Sequence, residues 1–158
     1  MLSRIAHRGP DDETFHDDGI LALSFRRLSI VDVEGGQQPF RDEGRCILAV
    51  VNGEIYNHLD LRAQFRKSFP FGSRSDSEVI LPLYRDQGTG MLDDVNGIFA
   101  MALWDAPDRR LVLARDRLGV KPLYYALVGD TLLFGSELKA LLAHPACPRE
   151  PDWRQIRN

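Results

Sequence analysis

Within Val50-Val51-Asn52-Gly53-Glu54-Ile55-Tyr56-Asn57 an apolar run meets an asparagine, a glycine and a carboxylate in succession. A side-chain amide beside a glycine N–H makes two neutral donors at one point. Such a pair stabilises negative charge developing on a carbonyl oxygen without adding a titrating group, which is what an oxyanion hole requires. Asn-Gly is also a turn signal, because both residues tolerate positive φ, and a two-residue hairpin is the simpler reading. A hairpin needs a second strand at once. Instead Asn57, Asp60, Leu61 and Phe65 follow at the spacing of a capped helix. The stretch reads as strand, turn, helix, with the polar pair at the strand end.

Two further places carry charge where chemistry could use it. In Phe25-Arg26-Arg27-Leu28-Ser29-Ile30-Val31-Asp32 two arginines interrupt apolar sequence. A half-buried guanidinium costs several kcal/mol, on the order of a broken ion pair, unless an anion meets it. One of these arginines should therefore face a carboxylate from protein or ligand; for Arg27 the candidates within the chain are Asp32 and Asp116. In Ser75-Asp76-Ser77-Glu78, Ser75 and Glu78 have the spacing of a capping box, and Asp76 falls in the first helical turn, where the dipole favours a carboxylate.

The elements that must position these residues follow from pattern. Met1–His7 reads as a helical tail ending before Gly9-Pro10, and the segment from Asp11 to Asp18 as an acidic surface loop. Strands are expected at Ile20–Leu23, Cys46–Val51, Ile98–Trp104, Leu111–Ala114, Leu123–Val128 and Thr131–Phe134, the last two joined by Gly129-Asp130. Helices are expected after Asn57, after Ser75 with a kink or break near Pro82, and over Glu137–His144. Hairpin-connected strands flanked by helices, without strict alternation, indicate an α+β fold with antiparallel sheets.

Composition narrows the function classes. A chain of 158 residues is one domain's worth, and a net charge of -3 with 27% charged residues offers no excess for a polyanion, so nucleic acid is not an expected partner. No apolar run approaches the ~20 residues that span a bilayer, and Met1-Leu2-Ser3-Arg4-Ile5 lacks a signal-peptide core, so no membrane role is expected and the cytoplasm is the default location. Cys46 and Cys147 make neither a disulfide framework nor a metal pattern, and His7, His16, His58 and His144 are scattered, so no metal site is expected.

Taken in order, His7-Arg8-Gly9-Pro10-Asp11, Arg27-Leu28-Ser29-Ile30-Val31-Asp32, Gln38-Pro39, Asn52-Gly53-Glu54-Ile55-Tyr56-Asn57, Ser75-Asp76-Ser77-Glu78-Val79 and the run Ala114-Arg115-Asp116-Arg117-Leu118-Gly119-Val120-Lys121-Pro122-Leu123-Tyr124-Tyr125 resemble the glutaminase domain of glutamine-dependent asparagine synthetase. Ser136-Glu137-Leu138-Lys139-Ala140-Leu141 continues the resemblance, which covers nearly the whole chain. It implies a class II, N-terminal-nucleophile amidotransferase with a four-layer α/β/β/α sandwich of two antiparallel sheets. It further implies that Asn52 and Gly53 form an oxyanion hole and that Arg27 grips the α-carboxylate of glutamine. Glu54 and Asp76 would surround the α-ammonium, and Ile30 and Val31 would touch the ligand. No cofactor is implied for this domain; ATP and Mg belong to a synthetase domain, in the same polypeptide or a separate chain.

The departures from that family are as specific. Its N-terminal cysteine attacks the glutamine amide with its own α-amine as base, and its opening Cys-Gly-Ile strand has no counterpart here. Phe25 stands where the family has a histidine, and no Ser-Gly-Gly-Xaa-Asp-Ser pyrophosphate loop occurs. The expectation is a single glutaminase domain over 1–158, truncated at its N-terminus, with 145–158 beginning a linker to a synthetase domain. As it stands, the chain is not expected to hydrolyse glutamine. The alternatives are a noncatalytic glutamine-binding or interaction module, and an amidotransferase for another carboxylate. An unpaired sheet edge would also favour self-association.

Overall fold

The computed structural model describes residues 1–9, 12–27 and 36–150, with Arg8 and Arg27 described by backbone alone. Strands β1 (Asp12–Asp17) and β2 (Ala22–Arg27) form an antiparallel ribbon. β3 (Phe40–Asp42), β4 (Ile47–Ile55), β5 (Gly97–Asp105) and β6 (Arg110–Arg115) form an antiparallel sheet in the order β3-β4-β5-β6. β7 (Tyr124–Val128) and β8 (Thr131–Gly135) form a second ribbon, turned at Gly129 with φ +59°. Helices α1 (His58–Phe65) and α2 (Ile80–Gln87) lie between β4 and β5 in sequence, and α3 (Leu138–Leu141) follows β8.

Alternation along β4 and β5 gives the four-stranded sheet two apolar faces. Ala49, Val51, Ile55, Met101 and Leu103 pack on one side with Leu61 of α1 and Ile80, Leu81 and Leu83 of α2. Leu48, Val50, Ala102 and Trp104 face the other way, against Leu21, Leu23 and Phe25 around β2 and Phe134 of β8. Outside the ribbons, Leu141 of α3 covers Leu133 and Ala126. The layers therefore run helices, sheet, ribbons, helix, which is the α+β, four-layer arrangement of antiparallel strands expected. Among the described residues the second β layer is two ribbons, and no helix is long and apolar enough to cross a membrane.

Several local expectations are corrected. The acidic segment forms β1, because Glu13 lies opposite Arg26 and forms an ion pair with it, so its charge is compatible with a ribbon. Arg26 thus finds its carboxylate within the protein. β4 does not stop at Asn52-Gly53: β5 pairs with it as far as Ile55 opposite Gly97, and the turn comes at Tyr56-Asn57. Asn57 occupies the N-cap of α1, but its side chain bonds Asp94 O at 2.8 Å and Asn96 N at 3.0 Å instead of capping. Cys46 is exposed in the turn before β4, at φ +52°. Pro82 is accommodated in the first turn of α2, where its missing N–H has no intrahelical partner to lose, and the break falls earlier, where a 3-10 turn over Asp76–Val79 meets α2. Only half of the capping box forms. Ser75 accepts from Ser77 N–H, while Glu78 reaches back to the N–H groups of Gly72 (2.6 Å) and Ser73 (2.9 Å).

Candidate active site

The site is built on one edge of β4. In an antiparallel strand the N–H and C=O of a residue point to the same side, and alternate residues share that side. β3 covers this edge only as far as Ala49, opposite Phe40. Val51, two residues on, is taken by a side chain: its N–H donates to Gln38 Oε1 at 2.7 Å and its carbonyl accepts from Gln38 Nε2 at 3.0 Å. Ile55 N–H donates to Asp76 Oδ2 at 2.6 Å. Gly53 lies midway and shares their side. Its N–H therefore points away from β5, and it has no hydrogen-bond partner among the described residues.

Perpendicular to that edge, Asn52 and Glu54 share the face of Val50, towards the ribbons. Opposite Asn52 is Ala100, and opposite Val50 is Ala102, so small side chains leave room above the sheet. That room is a cavity of about 740 Å³ between β2 and β8, lined by Asn52, Gly53, Glu54, Asp76, Ser77 and Lys121 among others. The sequence-predicted residues Asn52, Gly53, Glu54 and Asp76 are thus brought together. Arg27 contributes backbone to β2 opposite Asp12, its side chain being outside the described set; Ile30 and Val31 lie outside the described residues.

Asp76 is delivered by a loop that Arg62 and Glu78 organise. Arg62 donates to the carbonyls of Ser73 and of Ser75 (3.1 Å), lies 3.6 Å from Glu78, and stacks 4.0 Å over Phe71. The buried Glu78 also accepts from Ser73 Oγ at 2.7 Å. With the loop fixed in this way, Asp76 Oδ1 sits near the hydroxyls of Ser75 (3.4 Å) and Ser77 (3.3 Å).

Two supporting residues were given no such role by the sequence, where Gln38 stood only in a motif and Asp116 was also a candidate partner for Arg27. Asp116, buried, accepts from the N–H groups of Phe99 (3.2 Å), Leu118 (3.0 Å), Val120 (3.1 Å) and Lys121 (3.3 Å), and its own N–H donates to Phe99 O at 2.8 Å. Burial pushes its carboxyl up, but these backbone donors together outweigh burial and hold it below the ordinary value. The loop from Asp116 to Lys121 is thereby fixed beside Phe99, which lies opposite Gly53. The signal was Pro39 directly after Gln38 and Gly119 three residues after Asp116, which by itself does not name a partner.

Neither cysteine lines the cavity: Cys46 is at the sheet's far turn and Cys147 is packed with Leu133 and Leu141. Among the described residues no group of three His, Cys, Asp or Glu side chains is placed to hold a metal ion.

Antiparallel sheets between helical layers, with an open Gly53 N–H on the edge of β4 beside the cavity that Asn52 lines, are the arrangement of the class to which its relatives assign the chain. The chain belongs to the family described as glutamine amidotransferase domain, whose model matches residues 1–158. It is 46% identical over 155 residues to asparagine synthetase [glutamine-hydrolyzing] 2 of Bacillus subtilis, covering 98% of this chain and 21% of that protein. It is 43% identical over 148 residues to asparagine synthetase B [glutamine-hydrolyzing] of Escherichia coli, covering 92% of this chain and 26% of the relative. It is 41% identical over 160 residues to amidase chyE of Penicillium rubens, covering 99% and 23%. The chain thus spans about a quarter or less of these relatives' length. Among solved structures, glutamine phosphoribosylpyrophosphate amidotransferase from B. subtilis matches with a TM-score of 0.63 at 23% identity, over 76% of this chain and 28% of that one.

Proposed function

We propose that this domain binds L-glutamine in the cavity between β2 and β8 and is the glutaminase part of an asparagine synthetase-type enzyme. The observation that carries the reading is the Gly53 N–H, left open between two satisfied neighbours beside the Asn52 amide. Together these would receive the amide oxygen as it becomes an oxyanion. Asp76 and Glu54 would neutralise the α-ammonium and Arg27 would pair with the α-carboxylate. Ile30 and Val31 would flank the substrate. A thiolate attacking the amide carbon would expel ammonia and leave a thioester, which water converts to glutamate.

The thiolate would come from an extended segment carrying an N-terminal cysteine, seated between β2 and β8. Among the described residues each of these strands is paired on one side only, and both line the cavity. The chain alone would then bind without turning over. Ammonia would pass to a synthetase portion reached through residues 145–158, where ATP and Mg would activate aspartate, with the cytoplasm as compartment. Self-association through the open edges is part of the same reading.

A second reading concerns only the acceptor. Some relatives named asparagine synthetase and one named amidase match at similar identity, 43% and 41%, so a carboxylate other than aspartate fits this domain as well. The experiment is ammonia release from L-glutamine by the present chain and by one extended with a segment beginning Cys-Gly-Ile. Hydrolysis is expected only in the extended protein. Absence of both glutamine binding and hydrolysis in a folded extended protein would overturn the proposal.

A further inference from the structure

We propose that Gln38 is a positioning residue for the Gly53 donor, its carboxamide acting as a strand residue on the open edge of β4. The inference rests on the glutamine reading above. β3 pairs Phe40 with Ala49, and one further two-residue step on each strand would bring residue 38 opposite Val51. There the backbone ladder gives way to the Gln38 side chain, whose adjacent oxygen and nitrogen match the N–H and C=O of Val51 at 2.7 and 3.0 Å. Among side chains only a carboxamide offers an acceptor and a donor side by side in this way. Thr14 Oγ1 donates to Gln38 O at 2.5 Å, which anchors this contact to β1.

The consequence falls on Gly53. A glycine has the widest conformational choice of any residue, so the direction of its N–H depends on what holds its neighbours. Asp76 holds Ile55 on one side and Gln38 holds Val51 on the other. Releasing Val51 would leave a half-buried N–H and C=O unpaired, and the edge would relax towards other partners, carrying the Gly53 N–H with it. Gln38 lines the cavity, and its Oε1 and Nε2 are both directed to Val51, so its role is assigned through the strand.

The test uses the whole chain labelled with nitrogen-15, with L-glutamine and L-norvaline as probes. Norvaline keeps the α-groups but has no side-chain carbonyl for the oxyanion donors. In Gln38→Leu, faster exchange of the Val51 amide and a displaced Gly53 amide resonance are expected. Glutamine binding should weaken about tenfold while norvaline binding stays unchanged. Gln38→Glu, which keeps the acceptor and loses the donor, should fall between, and it carries the test if Gln38→Leu does not fold. Equal weakening of both ligands would show a merely structural role and overturn the proposal. If the parent chain prefers glutamine no more than norvaline, the glutamine reading itself fails; an undisplaced Gly53 resonance in a folded variant then overturns the role of Gln38 separately.

Discussion

Gly53 approaches β5 so closely that a Cβ on it would lie 1.9 Å from the carbonyl oxygen of Ile98. Its φ of +149° is in addition one that side chains rarely adopt. The atoms in the way are backbone of a paired strand and cannot swing aside. Packing alone therefore requires a glycine at position 53, before any chemistry is asked of its N–H. Gly53→Ala is expected to destabilise the chain by about 3 kcal/mol or more, the range of strained backbone substitutions. Urea unfolding measures this directly. A loss below roughly 1 kcal/mol would mean that β4 and β5 separate more easily than the ladder implies.

Asp76 has two separable duties. Its Oδ2 accepts from Ile55 N–H at 2.6 Å, and its charge faces the cavity. Asp76→Asn preserves an acceptor for Ile55 and removes the charge, so the end of β4 should stay protected from hydrogen exchange while glutamine binding weakens by about tenfold or more. Asp76→Ala should lose both. If Asn binds glutamine as well as Asp does, the carboxylate is a strut for the strand and takes no part in recognising the ammonium group.

Acid should loosen the ribbon of β1 and β2 from the sheet. Asp18 is lowered from 3.8 to about 2, first by the N–H groups of Leu21 and Ile20, with the Trp104 indole and His16 adding to them against the opposing effect of burial. Trp104 Nε1 donates to Asp18 Oδ2 at 2.7 Å, so this carboxylate also ties β5 to the ribbon turn. A carboxylate more acidic folded than unfolded adds stability that is full above about 3.8 and disappears as pH falls through about 2. Comparing the acid limb of urea stability in the parent and Asp18→Asn isolates the term. The variant should lose less stability on acidification; parallel curves would show that Asp18 does not contribute.

How much of this was legible before the structure depends on the range of each interaction. The apolar runs of β4 and β5 and the Gly129 turn announce themselves locally, and the hairpin order gives the α+β class. The convergence of Asp76 with Asn52, Gly53 and Glu54 was readable through family resemblance, because Asp76 is distant from the other three in sequence and all four are ordinary in type. β1 was hidden by its acidic residues, because the pairing of Glu13 with Arg26 across the ribbon is not visible locally. The continuation of β4 through Asn52-Gly53 was hidden because a turn signal is local, whereas the pairing with β5 that overrides it is not. Gln38 was unreadable for a related reason: a side chain completing a ladder on a strand 13 residues away leaves no periodicity in sequence.

The last prediction separates binding from turnover at the proposed site. In the chain extended by the cysteine-led segment, the Gly53 N–H and the Asn52 amide would act most strongly when charge has developed on the substrate oxygen, and Arg27 would act on the α-carboxylate throughout. Asn52→Ala should therefore lower kcat by ~100-fold or more while raising KM by no more than about tenfold, the mark of a donor used chiefly in the transition state. Arg27→Ala should chiefly raise KM, because an interaction made equally with substrate and transition state contributes to binding alone. Steady-state ammonia release from the three extended proteins distinguishes the roles. An Asn52→Ala protein with unchanged kcat would leave Gly53 as the sole oxyanion donor, and an Arg27→Ala protein losing kcat at constant KM would remove Arg27 from substrate recognition.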